Sequence, residues 1–145
     1  MNMMNDRDIL VGSQSWSATP WNYSSKLFLQ FHADGTGKEI YGFGQTIYVK
    51  LNFNFELLEA QRLRLSYVDS PNSIKRGFEL TDANRTNDLT YSLIEEQQVH
   101  TESITAFQFR FQRQLVFNRS PYPEGIQLPR EVPLTYHGYC DRVER

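Results

Sequence analysis

The chain has 145 residues, the size of one domain, and is long enough to bury a hydrophobic core. Its formal net charge of -2 excludes a general electrostatic attraction to nucleic acid or to an anionic membrane, and we predict neither partner. The single cysteine, Cys140, cannot form an internal disulfide, and residues 1–8 lack the apolar run of a secretory signal. The sequence therefore predicts one cytoplasmic domain over residues 1–145.

The first candidate strand covers residues 9–16 and ends at Trp16. The loop that follows, residues 17–25, combines Pro20 with Trp21 and Tyr23, and we expect its aromatic rings to plug one end of the core.

Residues 26–56 show the clearest pattern, with apolar and polar side chains alternating at a period of two. The sequence DGTG at residues 34–37 is typical of a tight hairpin, because Asp and Gly tolerate the positive φ of a primed turn. We predict strands at residues 26–33, 38–43 and 47–56, with a second turn at Gly44.

The same alternation predicts further strands at residues 62–68, 75–81, 89–100, 103–118 and 134–140. Residues 89–100 also contain Glu and Gln residues that favour a helix, and we prefer a strand that forms one arm of a hairpin with residues 103–118. Residues 57–61 fit either a short helical turn or a connection, and the polar residues 82–88 are expected to form a loop. Residues 120–133 contain four prolines, which exclude a central strand, so this segment is predicted to be a long surface loop or a flap.

About eight to nine sequential strands without a long helix favour a sandwich or an up-and-down barrel. We predict an all-β fold, an antiparallel up-and-down barrel of about eight to ten strands. Gly12 to Trp16, followed by Phe28, Phe31 and the DGTG hairpin, resembles the opening of small lipocalin-like proteins of the calycin group. This resemblance implies an eight-stranded barrel with an early tryptophan at its closed end.

An eight-stranded barrel can hold one small ligand or be filled by its own side chains, and an aromatic lining fits both. Candidate ligand contacts on the apolar rows are Phe31, Val49, Leu51, Phe53, Tyr67, Tyr91, Phe107, Phe109, Phe111 and Arg113. Arg113 is the charge in a row of phenylalanines, so it either anchors an anionic ligand or lies at the mouth or beyond a bulge. If odd positions face odd positions across the hairpin, Tyr91 or Glu95 comes close to Arg113.

Three functions fit these residues. The first is binding of a small hydrophobic or amphipathic molecule, including an anionic one, inside the barrel. The second is an isomerase or cyclase in the same cavity, in which a His, Tyr or Glu has a perturbed pKa. The third is a filled barrel that acts through its surface, and a homo-oligomer stays open.

Metal binding is not predicted, because His32, His100 and His137 show no ligand spacing. We predict no cofactor either, and whether the protein is an enzyme stays open.

Overall fold

The computed structural model of the protein describes residues 5–12, 15–18, 25–43, 46–68, 85–101, 108–123 and 134–143. Its elements are α1 (Asp6–Gly12), β1 (Trp16–Ser17), β2 (Ser25–Phe31), β3 (Thr36–Phe43), β4 (Thr46–Leu58), β5 (Arg62–Val68), β6 (Thr86–Thr101), β7 (Gln108–Phe117) and β8 (Thr135–Val143). The strands form a closed antiparallel barrel in chain order, and β1 pairs with β8. The predicted up-and-down barrel is confirmed, with eight strands.

The inner face of the barrel is mainly apolar because apolar and polar side chains alternate along strands such as β5. In β5, for example, Leu63, Leu65 and Tyr67 are buried, whereas Arg62 and Val68 at its ends are exposed. Closing the sheet on itself buries this face and joins the two edge strands, β2 and β8, through β1. The closing strand is short, since β1 consists of Trp16 and Ser17, each paired with both β2 and β8.

The prediction of a first strand over residues 9–16 is wrong, because residues 6–12 form the helix α1. The side-chain Oδ1 of Asn5 accepts a hydrogen bond from the backbone nitrogen of Asp8 at 2.9 Å, as an N-cap does. Asp6 and Asp8 lie in the first turn, where negative charge favours a helix. Only Trp16 of the predicted strand lies in β1.

Helix α1 lies across one end of the barrel. Arg7 Nη2 donates a hydrogen bond to the carbonyl oxygen of Ala33 in the β2–β3 turn, at 2.7 Å. At the other side of this end, the Tyr91 hydroxyl of β6 donates to Asp6 Oδ2 at 2.6 Å. Leu10 is fully buried in the core, and its carbonyl oxygen accepts from Trp16 Nε1 at 3.0 Å. We call this the helix end of the barrel.

The predicted hairpin after β2 is present, but its turn differs from the primed two-residue turn that we expected. The backbone nitrogen of His32 donates to Thr36 O at 2.8 Å, and the Gly35 nitrogen donates to His32 O at 3.1 Å. Of the turn residues, only Gly35 has positive φ, at 91°. This is a three-residue loop with a left-handed glycine, and Asp34 Oδ1 supports it by accepting from Thr36 N at 3.0 Å.

The end of β4 and the start of β6 lie close to the predicted boundaries. Residues 57–61 form the end of β4 and a tight connection to β5. The segment at residues 89–100 is a strand, as predicted, but β6 begins at Thr86 and includes Asp88, which was expected in a loop. The strand predicted at residues 75–81 and the aromatic loop around Trp21 lie outside the described residues. Among the residues that are described, no helix has the length and apolar character needed to cross a bilayer.

Candidate functional site

A glutamate occupies the interior of the barrel. The strand register places Trp16, Leu29, Glu39 and Leu51 opposite one another on the four consecutive strands β1 to β4. All four side chains have a relative exposure of 0%. The Glu39 carboxyl group therefore lies in a row whose other members are large and apolar.

The Glu39 carboxyl has neither a hydrogen-bond partner nor a counter-charge within the part of the chain that the structure describes. Both of its oxygen atoms are fully buried and make no hydrogen bond there. Burial raises the pKa of Glu39 well above its ordinary value of 4.5, because the apolar interior destabilises the charged form. The carboxyl group therefore stays neutral to a higher pH than an exposed glutamate does, and in this form it can both donate and accept.

Three tyrosines lie within electrostatic range of Glu39. Burial raises the pKa of Tyr67, Tyr122 and Tyr136, and the charge of Glu39 is a further cause of the increase in each of the three. Two of these hydroxyl groups are committed elsewhere, since Tyr67 donates to the carbonyl oxygen of Pro121 and Tyr122 donates to that of Ile40 at 2.7 Å.

The third tyrosine, Tyr136, differs from the other two in its hydrogen bonding. The Tyr136 hydroxyl is buried and makes no hydrogen bond to the described residues. Glu39 and Tyr136 thus provide two unsatisfied polar groups in an apolar interior.

Residues 120–123, which we call the plug, enter the barrel after β7. Pro121, Tyr122 and Pro123 are buried, and the Tyr122 ring packs edge-on against Tyr41 with centroids 5.9 Å apart. The plug follows the end of β7 and lies at the end of the barrel opposite α1, because successive hairpins of an up-and-down barrel alternate between its ends.

Buried Asn87 fixes the plug. Its side-chain Nδ2 lies 3.0 Å from Ser120 O, 3.4 Å from Tyr122 O and 3.1 Å from the Tyr67 hydroxyl. One amide group therefore joins the start of β6, the end of β5 and the plug.

The helix end of the interior is filled by phenylalanine rings. Phe31 packs edge-on against Phe53 and Phe55, with centroids 5.6 Å and 5.1 Å away. Gly37 leaves space for them, since a Cβ atom there would lie 2.5 Å from two carbons of the Phe53 ring. Any space for a ligand must therefore lie on the other side of these rings, around Glu39 and towards the plug.

Five of the predicted ligand contacts have described side chains that are buried: Phe31, Leu51, Phe53, Tyr67 and Tyr91. Phe31 and Phe53 belong to the filled helix end. Leu51 lies next to Glu39, and Tyr67 holds the plug. The Tyr91 hydroxyl donates a hydrogen bond to Asp6. Burial raises the pKa of Tyr91, and this hydrogen bond raises it further.

The remaining predicted contacts are only partly described. Val49 lies in β4, and Phe109 and Phe111 lie in β7, but their side chains are outside the described residues, as is all of Phe107.

Arg113 lies opposite Glu95, one of the two neighbours predicted for it, in the β6–β7 ladder. Odd positions face odd positions here only because the register shifts between Glu95 and Gln98. Its Nη2 is 3.5 Å from Glu95 Oε1, while the Glu95 side chain is 77% exposed. The Arg113 Nε is buried and makes no hydrogen bond to a described residue. Arg113 on β7 and Glu39 on β3 lie on opposite sides of the barrel, with three strands between them in either direction. Neither Glu39 oxygen makes a hydrogen bond to Arg113 or to another described residue.

The sequence reasoning missed Glu39, Tyr122, Tyr136 and Asn87. Glu39 could have been found from the hairpin alone: the loop pairs Phe31 with Gly37, and antiparallel counting then pairs the inward Leu29 with Glu39. The plug had no comparable signal, because its proline content indicates only a loop.

Among the described residues, no group of three or more His, Cys, Asp or Glu side chains is arranged to hold a metal ion. Comparison with protein-family models, with curated proteins and with solved structures returns no match. The geometry of the barrel interior is therefore the basis for assigning a function.

Proposed function

We propose that the barrel binds a small hydrophobic or amphipathic molecule in its interior, with a polar group of the ligand against Glu39. One observation carries this proposal: Glu39 is fully buried and both of its carboxyl oxygens lack a partner among the described residues. Buried polar groups in folded proteins are almost always hydrogen-bonded, because an unpaired one costs about 1–3 kcal/mol or more. A ligand that bonds to Glu39 would recover this free energy.

The surroundings of Glu39 fit the apolar part of such a ligand. Leu29 and Leu51 flank the carboxyl group on the neighbouring strands, and Tyr41 lies two residues further along β3 with its ring buried. Small-molecule sites have this composition, a mainly apolar lining with a few polar groups that orient the ligand.

A ligand screen tests the proposal. The purified protein is first measured by native mass spectrometry and then by thermal unfolding with fatty acids, alkylamines, retinoids and other amphipathic molecules. A ligand of the folded state raises the melting temperature as its concentration increases. We expect a dose-dependent increase in the wild type and in Glu56→Gln, in which an exposed glutamate of β4 is changed.

The Glu39→Leu variant should lose this increase, because it keeps an apolar interior but removes the polar group. If no compound raises the melting temperature of the wild type and no small molecule copurifies, the proposal is wrong.

A second candidate function is a proton-transfer enzyme, such as an isomerase or cyclase, in the same space. The raised pKa of Glu39 favours it, because a neutral carboxyl in an apolar site is the arrangement of a general acid. Ligands that raise the melting temperature would then be converted on incubation with the wild type and left unchanged with Glu39→Gln. Mass spectrometry and NMR of the recovered ligand distinguish binding from turnover.

A further inference from the structure

Resting on the proposed function, we infer that the polar group of the ligand is an amine, which binds as an ammonium ion paired with an ionised Glu39. The inference depends on which hydrogen-bonding groups the interior offers to a ligand and which are already used.

The interior around Glu39 is rich in acceptors. The carboxyl group offers two oxygen atoms, and the Tyr136 hydroxyl oxygen is a third unpaired acceptor. The protons of Tyr67 and Tyr122 are donated to backbone carbonyl groups, so neither hydroxyl has a proton to give to an anionic ligand. Tyr136 and a neutral Glu39 each keep one proton that they can donate, but Glu39 can also ionise. An ionised Glu39 accepts from a ligand with several N–H donors through both of its oxygens, whereas beside a carboxylate or phosphate it must stay protonated.

The apolar side chains also favour a cation. Aromatic rings present a negative face that attracts ammonium groups, and Trp16 and Tyr41 are fully buried on the same inner rows as Glu39. An amide or a hydroxyl group in place of Glu39 would serve a neutral ligand, whereas a carboxyl can in addition become the counter-ion of an ammonium group.

No described cation competes for Glu39. Arg113 lies on β7 beside Glu95, and the strands next to β3 contribute Leu29 and Leu51 at the level of the carboxyl group. Among the described residues of other elements, the titratable groups within electrostatic range of Glu39 are tyrosines of β5, β8 and the plug. Burial raises their pKa values, so they stay neutral in the pH range where Glu39 changes its charge.

Formation of the ion pair changes the number of protons bound to the protein, and this number can be measured. At pH values below the raised pKa of Glu39, the ligand-free protein holds a neutral carboxyl group, whereas the free amine is protonated. Formation of the pair therefore releases about one proton to the solvent for each ligand bound. The affinity for the amine should rise about tenfold per pH unit while Glu39 is protonated in the free protein.

The test uses two sets of three probes that share a skeleton: octylamine, 1-octanol and octanoate, and 2-phenylethylamine, 2-phenylethanol and phenylacetate. Isothermal titration calorimetry in two buffers of different ionisation enthalpy gives both the affinity and the number of protons released. We expect at least one amine to bind about tenfold or more tightly than its alcohol, with a release of about one proton. Glu39→Gln should remove both the preference and the proton release, and Glu56→Gln should retain them.

The outcomes separate this inference from the proposed function. If an alcohol or an anion binds as tightly as its amine, or if Glu39→Gln keeps the full preference for the amine, the barrel binds ligands but the inference is wrong. If none of the six probes binds and the broader screen is also negative, the proposed function fails together with the inference.

Discussion

Replacing Glu39 by glutamine should change how the stability of the protein depends on pH. The folded protein keeps the Glu39 proton to a higher pH than the unfolded chain, because burial raises the pKa of this group above 4.5. Between the two pKa values, the folded state holds one proton more than the unfolded state. Stability is thus greatest below the unfolded pKa and is lost as pH rises towards the folded pKa, by about 1.4 kcal/mol per pH unit.

Glutamine does not titrate, so this contribution disappears in the variant. The difference in unfolding free energy between Glu39→Gln and the wild type should be constant below about pH 4 and should then rise in favour of the variant by about 1.4 kcal/mol per pH unit. This difference is measured by urea denaturation, followed by tryptophan fluorescence, from about pH 3.5 to 8. The range extends from about one unit below the unfolded pKa to several units above it. The exposed Glu56→Gln should differ from the wild type by a nearly constant amount. A flat difference for Glu39→Gln would show that Glu39 ionises equally in both states, and the reasoning on its burial would then be refuted.

Three further substitutions test the fold and the plug. Gly37→Ala should cost about 1–3 kcal/mol in urea denaturation, because its Cβ meets the Phe53 ring at 2.5 Å; an unchanged midpoint would contradict this packing. Ala60→Gly should stabilise the protein by about 0.5–1 kcal/mol, because Ala60 has a φ of 61° in the β4–β5 turn; a destabilised variant would show that this backbone is not strained. Asn87→Asp should cost about 1–3 kcal/mol or more and speed amide hydrogen exchange in the plug, because a carboxylate would face three oxygens that now accept from the Asn87 amide; unchanged exchange would show that Asn87 does not hold the plug.

The strands were predictable from sequence because their signal is local. In residues 62–68 each inward side chain is apolar and the intervening ones are mostly polar, and the structure has β5 over the same residues. Glu39 was harder to place from its own strand, since its neighbour Ile40 on the opposite face is also buried, with 8% exposure. In such a strand the alternation does not identify the inner face, and only pairing with β2 and β4 does so.

Helix α1 and the strand register around Arg113 could not be predicted, for different reasons. Helix α1 is anchored by Arg7 to Ala33, 26 residues away, and by Asp6 to Tyr91, 85 residues away, and a local pattern does not contain such contacts. For Arg113, the register shifts near Phe111 in the β7–β8 ladder. Alternate residues no longer point to the same face of the sheet across this shift, so counting along the strand does not predict which side chains face inward.

The shortness of β1 also affects how the barrel can come apart. Within the described part of the chain, β1 pairs with both β2 and β8 through Trp16 and Ser17 alone, whereas the other strand pairs of the barrel are longer. Loss of this pairing would release the backbone groups of β2 and β8 as two free sheet edges, which pair readily with other strands. Two chains opened at β1 could then exchange their N-terminal segments, with each Trp16 completing the barrel of the other chain.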